Sequence, residues 1–243
     1  VLIQAVVGLL VAAAAASVTD RRSYTVAMPT GRTLSVELTI GTIRVQGESR
    51  SDAVIEVVRT APTAEALARI PVTLDEVDAS VQVVCTQPGG GTDPSLKADV
   101  TVRVPRDATL RSLRVMEGQV SLSALTGAVT ADLRRGPIEA SGLEGVVRLE
   151  TGIGDVIARD MRLSPRGLLR LRAFNGDVRL SLADPPRDAR IMALALNGTI
   201  QSTIPLNMRD TWGPRWGETT LGNGEPVISL DVVTGRIELK TKN

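Results

Sequence analysis

The 243 residues carry 28 basic and 27 acidic side chains, and the resulting formal charge of +1 gives no electrostatic footprint for nucleic acid or an acidic membrane surface. There is no His, and Cys85 is the single thiol, so a His-based triad, a His or multi-Cys zinc site and an intrachain disulfide are excluded. Tyr24, Phe174, Trp212 and Trp216 are the only aromatic residues, which leaves a core to be built from Val, Ile, Leu and Ala.

Residues 1–16 are apolar except for Gln4, and the polar run SVTDRRS follows them. That layout predicts a signal peptide with cleavage after Ala14-x-Ala16, or an uncleaved N-terminal membrane anchor, within residues 1–19. A buried core helix is the alternative. Either export reading places the remainder outside the cytoplasm, as a secreted, periplasmic or cell-surface protein.

Residues 20–104 read as a less regular N-terminal β region with one short helix. Thr33 to Val45 alternates around Gly41 as the C-terminal stretch ISLDVVTGRIEL does around Gly235, and it is expected to form a first repeat unit. Strands are predicted at 53–59, 79–86 and 98–104, with a helix at 62–70 capped by Thr63. Cys85 ends the alternating run Ser80-Val-Gln-Val-Val-Cys85, where a small buried hydrophobe is expected rather than a nucleophile. The Gly89-Gly90-Gly91 run lacks the Lys-Ser/Thr of a phosphate loop and reads as a turn, so no cofactor is implied.

From residue 105 to the end the chain repeats. A Gly followed two residues later by Val or Ile recurs at Gly118, Gly136, Gly154, Gly176, Gly198 and Gly235, at steps of 18, 18, 22, 22 and 37 residues. Gly127, Gly145 and Gly167 each lie nine residues before one of these glycines, giving each unit two corners. Between corners the apolar residues alternate, as in Val147 and Leu149 or Leu169 and Leu171, which predicts strands with one buried face. Asn175-Gly176 and Asn197-Gly198 suit corners that need positive φ, and they would equally suit antiparallel hairpin turns. The in-register repetition favours stacked parallel units, an all-β right-handed parallel β-helix or solenoid. In it Val120, Ile138, Val156, Val178 and Ile200 would form one aliphatic column. One unit cannot bury enough apolar surface to stand alone, so both ends of the stack need protection.

Three sets of residues invite a chemical reading. Asp155 and Asp177 share one offset in successive units, which would bring their carboxylates within reach of each other. Three roles fit: corner hydrogen bonding, a Ca²⁺ site, or a glycosidase-like pair. The same offset elsewhere holds Gln119, Pro137, Thr199 and Arg236, so corner structure is favoured. Within 208–224, a long interruption of the repeat, Trp212 and Trp216 with Arg209 and Arg215 form a candidate stacking platform for a sugar ring or a cationic group; the other reading is indoles folded on the flank or capping the end. The third set, the six repeat glycines, is assigned to turns.

The serial motifs resemble the bacterial putative-adhesin family of exported proteins, over residues 25–241 and most specifically over 100–240. VRVPRDATLRSLRV-x-EGQVSL from Val102, AFNGDVRLSL from Ala173, LALNGTIQSTI from Leu194 and the closing ISLDVVTGRIEL from Ile228 carry the likeness. Arg135-Gly136-Pro137 and Ile153-Gly154 depart from the Asn-Gly corners of that family. The resemblance implies a β-helix-like fold, an extracytoplasmic location and no established catalytic residues. The expected function is a non-catalytic, adhesin-like interaction module of the cell envelope whose partner is a glycan or protein, not nucleic acid. An anchored envelope-stress sensor domain is the second reading, and a glycan-active β-helix enzyme the third.

Overall fold

The computed structural model describes residues 17–210 and 213–242. The predicted signal or anchor segment 1–16 and Trp212 lie outside the described residues. The front of the chain forms β1 (Val18–Ala27), β2 (Thr33–Glu48), β3 (Asp52–Ala61), a single helical turn α1 (Ala64–Leu67), β4 (Thr73–Val77), β5 (Ser80–Cys85) and β6 (Lys97–Pro105). The repeat region continues with β7 (Thr109–Ser123), β8 (Val129–Arg135), β9 (Ile138–Ser141), β10 (Val146–Ile153), β11 (Val156–Met161), β12 (Leu168–Asn175) and β13 (Val178–Leu182). It closes with β14 (Ala189–Ser202), β15 (Asn207–Asp210), β16 (Arg215–Leu221) and β17 (Val227–Thr241).

The protein is all-β, and the 17 strands among the described residues belong to one mixed sheet system. Its pairings fall into two ladders. In the first, β5, β2, β7, β8, β10, β12, β17 and β14 run parallel, with β4 antiparallel on β5 at one end and the β16–β15 hairpin antiparallel on β14 at the other. In the second, β6, β2, β7, β9, β11, β13, β17 and β14 run parallel, and β3 then β1 add antiparallel strands outside β6. Four long strands, β2, β7, β14 and β17, take part in both ladders and pass from one to the other at Gly41, Gly118, Gly198 and Gly235. No described helix is long and apolar enough to cross a membrane.

Alternation explains the core. Val129, Val147, Leu169, Ile228 and Ile191 stack in the first ladder, and Val120, Ile138, Val156, Val178 and Ile237 in the second, all buried. The expected column needs one correction, because Ile237 stands between Val178 and Ile200. The reason is burial. Ile228, Leu230, Ile237 and Leu239 of β17 are all 0 % exposed, which requires a unit on both sides, whereas most of residues 197–202 in β14 are exposed and suit a terminal position.

The front region joins this stack rather than standing apart. Gly41 of β2 pairs with Gly118 of β7, so Thr33–Glu48 is a repeat unit, as its alternation predicts. Thr63 accepts a hydrogen bond from the Ala66 amide at 3.2 Å and caps α1, whose Leu67 is buried, as is Ile70 just beyond. Arg59, 7 % exposed, donates to the carbonyls of Leu67 and Ile70 at 3.2 and 2.6 Å and pairs with Asp20 on β1. Two strands escape the sequence reading here, β1, which begins at Val18 and so takes up the last two residues of the expected signal or anchor region, and β4.

Candidate functional site

The repeat glycines occupy one column, and the reason is steric more than rotational. A Cβ on Gly118, Gly136, Gly154, Gly176 or Gly235 would lie 1.8–2.1 Å from the carbonyl oxygen of the corner glycine in the neighbouring unit, and all five have positive φ. Gly198 adds a sixth case, at 1.7 Å from the Gly235 oxygen. Backbones therefore touch at this corner, and any side chain would push the units apart. The same contact at Gly41, 1.9 Å from the Ala98 oxygen, extends the column into the front region.

Beside that column sit Asp155 and Asp177. Asp155 Oδ1 accepts the Asp177 amide at 2.9 Å, and Asp177 Oδ1 accepts the Arg236 amide at 2.9 Å. Asp99 does the same for the Thr42 amide at 2.9 Å, so the arrangement recurs wherever an Asp fills this offset with a unit stacked beyond it. Each carboxylate reaches the next unit's amide rather than its own turn. The remaining oxygens are bridged by Arg179, with Nη1 at 3.5 Å from Asp155 and Nη2 at 2.8 Å from Asp177. The geometry thus brings the two acids together as linkers between units, bridged by one guanidinium. No cluster of three or more metal-ligating side chains occurs among the described residues.

The interruption at 208–224 is a β-hairpin, β15–β16, laid along the first ladder. Trp216 pairs with Leu194 on one side and Arg209 on the other, and it is half-buried on the outer face. Arg209 donates to Glu218 at 3.0 Å. The hairpin therefore brings Trp216 and Arg209 of the predicted platform together on one face, whereas Arg215, exposed and paired with Ala195, alternates to the other. Outward-facing neighbours continue it across the sheet: Leu194, Leu196, Val233 and Phe174, with the Arg172 guanidinium 4.5 Å above the Phe174 ring. Leu196 and Phe174 are 39 % and 38 % exposed. Sequence reasoning missed this extension, although the signal was present: Met192-Ala-Leu-Ala-Leu196 is apolar in both alternation phases, the pattern of a strand covered on both faces.

Cys85 is 1 % exposed, and burial pushes its thiol up to about 11, so it is a packed hydrophobe as its strand position predicts. A groove of about 490 Å³ runs along the loops between units and is lined by Arg162, Leu163, Asp184, Arg187 and Glu225 among others. It holds no nucleophile paired with a general base.

No known family profile matches the chain, and no curated protein matches it. Similar solved structures include a putative cell adhesion protein from Clostridium sporogenes, 12 % identical, with a TM-score of 0.43 over 92 % of this chain and 100 % of that one. A putative adhesin from Bacteroides fragilis is 10 % identical, with a TM-score of 0.32 over 92 % of this chain and 97 % of that one. A putative lipid binding protein from Parabacteroides distasonis is 8 % identical, with a TM-score of 0.32 over 93 % and 97 % of the two chains.

Proposed function

We propose that this chain is a non-catalytic, exported, adhesin-like interaction module of the cell envelope, whose two parallel ladders wind as a right-handed β-helix in keeping with the crossover rule. The observation that carries the reading is the outer surface of the first ladder. There Glu37, Arg114, Asp132, Glu150, Arg172 and Asp231 follow one another on adjacent strands, about 4.8 Å apart, and lead into the aromatic and arginine cluster around Trp216. Such a surface offers regularly spaced charges and hydrogen-bonding groups, with an apolar spot at one end. That is a recognition surface for an extended polar partner, a glycan or envelope protein. Trp216 and Arg209, with Trp212, are the residues assigned to contact that partner, and Asp155 and Asp177 serve the corner between units.

The test is binding of the purified chain to envelope polysaccharides and envelope proteins on an array, alongside the variant Trp216→Ala/Arg209→Ala. Wild-type protein is expected to bind at least one polymer, and the variant to bind on the order of 10-fold more weakly at an unchanged β-sheet circular dichroism spectrum. Equal binding by the two proteins, or none by the wild type, would overturn the reading.

A further inference from the structure

The two ladders do not end level at the C-terminal unit. On the first, β16 and β15 carry the sheet two strands, about 10 Å, beyond β14. On the second, no described strand pairs with the outer side of residues 197–202. That end of the molecule is therefore a step with an open floor.

Three observations show that the floor is unfinished. First, Ile200 continues a column in which Val120, Ile138, Val156, Val178 and Ile237 are all 0 % exposed, yet it is only half-buried. Second, Met208 on β15 pairs with Gly217 and thus shares the core side of its ladder, yet it is 43 % exposed. Third, the amides at this offset are donors awaiting a unit: Ile138 donates to the Asp155 carbonyl and Val156 to the Asp177 carbonyl, each at 2.9 Å, while the corresponding Ile200 amide has no described unit to meet.

The charge pattern singles out this edge. The outer strands at the other ends carry ionic side chains that deter strand addition: Asp20, Arg21 and Arg22 on β1, Asp75 and Glu76 on β4. Between Arg190 and Arg209 there is no charged residue at all, and Asn197 to Ile204 contains no Pro. Nothing in this stretch discourages pairing.

We infer that the stepped end is a self-association surface, and that its occupant is a second copy of this chain. A copy rotated about a two-fold axis across the stack presents the same step. Its β15 then lies along the open edge of β14, and this chain's β15 lies along the partner's. Ile200 and Met208 of both copies are covered, and a closed two-fold pair results instead of a growing fibre. A neutral edge suits this occupant, because β15 brings one basic and one acidic residue, Arg209 and Asp210, and meets no charge of its own sign on residues 197–202 of β14. The inference does not depend on what the outer faces bind.

Sedimentation velocity on the full chain between about 1 and 100 μM, with the variant Thr199→Lys/Gln201→Lys alongside, tests it. The wild type is expected to sediment at twice the monomer mass. The variant, which sets two charged side chains on the edge that receives β15, is expected to have a dissociation constant on the order of 100-fold higher at an unchanged circular dichroism spectrum. Met208→Lys, on the opposing strand, is expected to act in the same direction. A wild type that stays monomeric throughout this range overturns the proposal, and so does a dimer that both variants leave intact.

Discussion

At the scale of single residues, the corner glycines show how little of a repeat motif is explained by backbone freedom alone. A Gly chosen only for positive φ could be replaced by Asn at modest cost. These cannot, because a neighbouring carbonyl occupies the place of the Cβ. Gly176→Ala would set a methyl 1.9 Å from the Gly154 oxygen at a position with φ of +154°. Overpacking and backbone strain together are expected to cost roughly 2–5 kcal/mol, lowering the melting temperature by on the order of 10 °C. Gly89→Ala is the control: it too has positive φ, but open space surrounds it, and a thermal melt should show a loss of no more than about 1 kcal/mol. Asp155 and Asp177 carry a parallel lesson. Their spacing in the sequence correctly announced that they share a corner, but only the register shows each carboxylate serving the amide of the following unit.

A further residue-scale expectation concerns acid. The hydrogen bond from Arg59 holds the Asp20 carboxyl below the usual carboxylate range against the opposing effect of burial, with added attraction from Arg59 and Arg22. A carboxyl depressed in the folded state contributes its stability at pH values above about 4, where the unfolded chain's Asp is ionised, and loses it as pH falls toward the folded-state value. Asp20→Asn should therefore cost about 1 kcal/mol at pH 7, a figure reduced because Asp20 is one-third exposed. Urea melts at several pH values should show the gap between the two proteins closing below about pH 4.

At the scale of elements, β17 has the most consequential position. It pairs with β12 and β14 in one ladder and with β13 and β14 in the other, so it has a neighbour on each side in both. A chain ending before residue 227 would leave β14 with only the β16–β15 hairpin and would strip the outer cover from β12 and β13. Such a chain is expected to lose β14 to β16 as an ordered unit and to be cleaved there by protease at low enzyme ratios, while 33–182 keeps its own pairings. Protection of β14 equal to that in the full chain would refute this. By contrast, α1 is a small element with a local cause: Thr63 caps its start, and Arg59 binds the carbonyls of Leu67, its last residue, and of Ile70 just beyond.

At the scale of the whole molecule, much of the architecture was legible. The repeat period, the alternating core residues, the one helix and the unit at Thr33–Glu48 all follow from side-chain pattern, because period two and corner glycines are local signals. The order of the stack was not legible, since nothing local in Gly198 or Gly235 says which unit lies next to β13. That order is decided by burial on both sides, a global property. The antiparallel strands at the ends were legible only in part. β1 and β4 are charged and short of apolar alternation because they are edges, and so they resemble linkers in sequence. Of the residues that composition singles out at 208–224, Trp216 and Arg209 share one face of the hairpin and Arg215 takes the other. Phe174 and Leu196 were missed because their exposure depends on which face of the sheet the strand turns outward.

The place of β17 also sets the order in which the molecule can be finished as it is made. From β7 to β13 each strand can dock on one already made as soon as it leaves the ribosome. β14 cannot do so in its final place, because the strand that belongs between it and β13 has not yet been synthesised. Until β17 emerges, the nascent chain carries an unfilled slot bordered by two apolar strand edges. The stack is thus completed by insertion into its interior, and the closing step waits for β17.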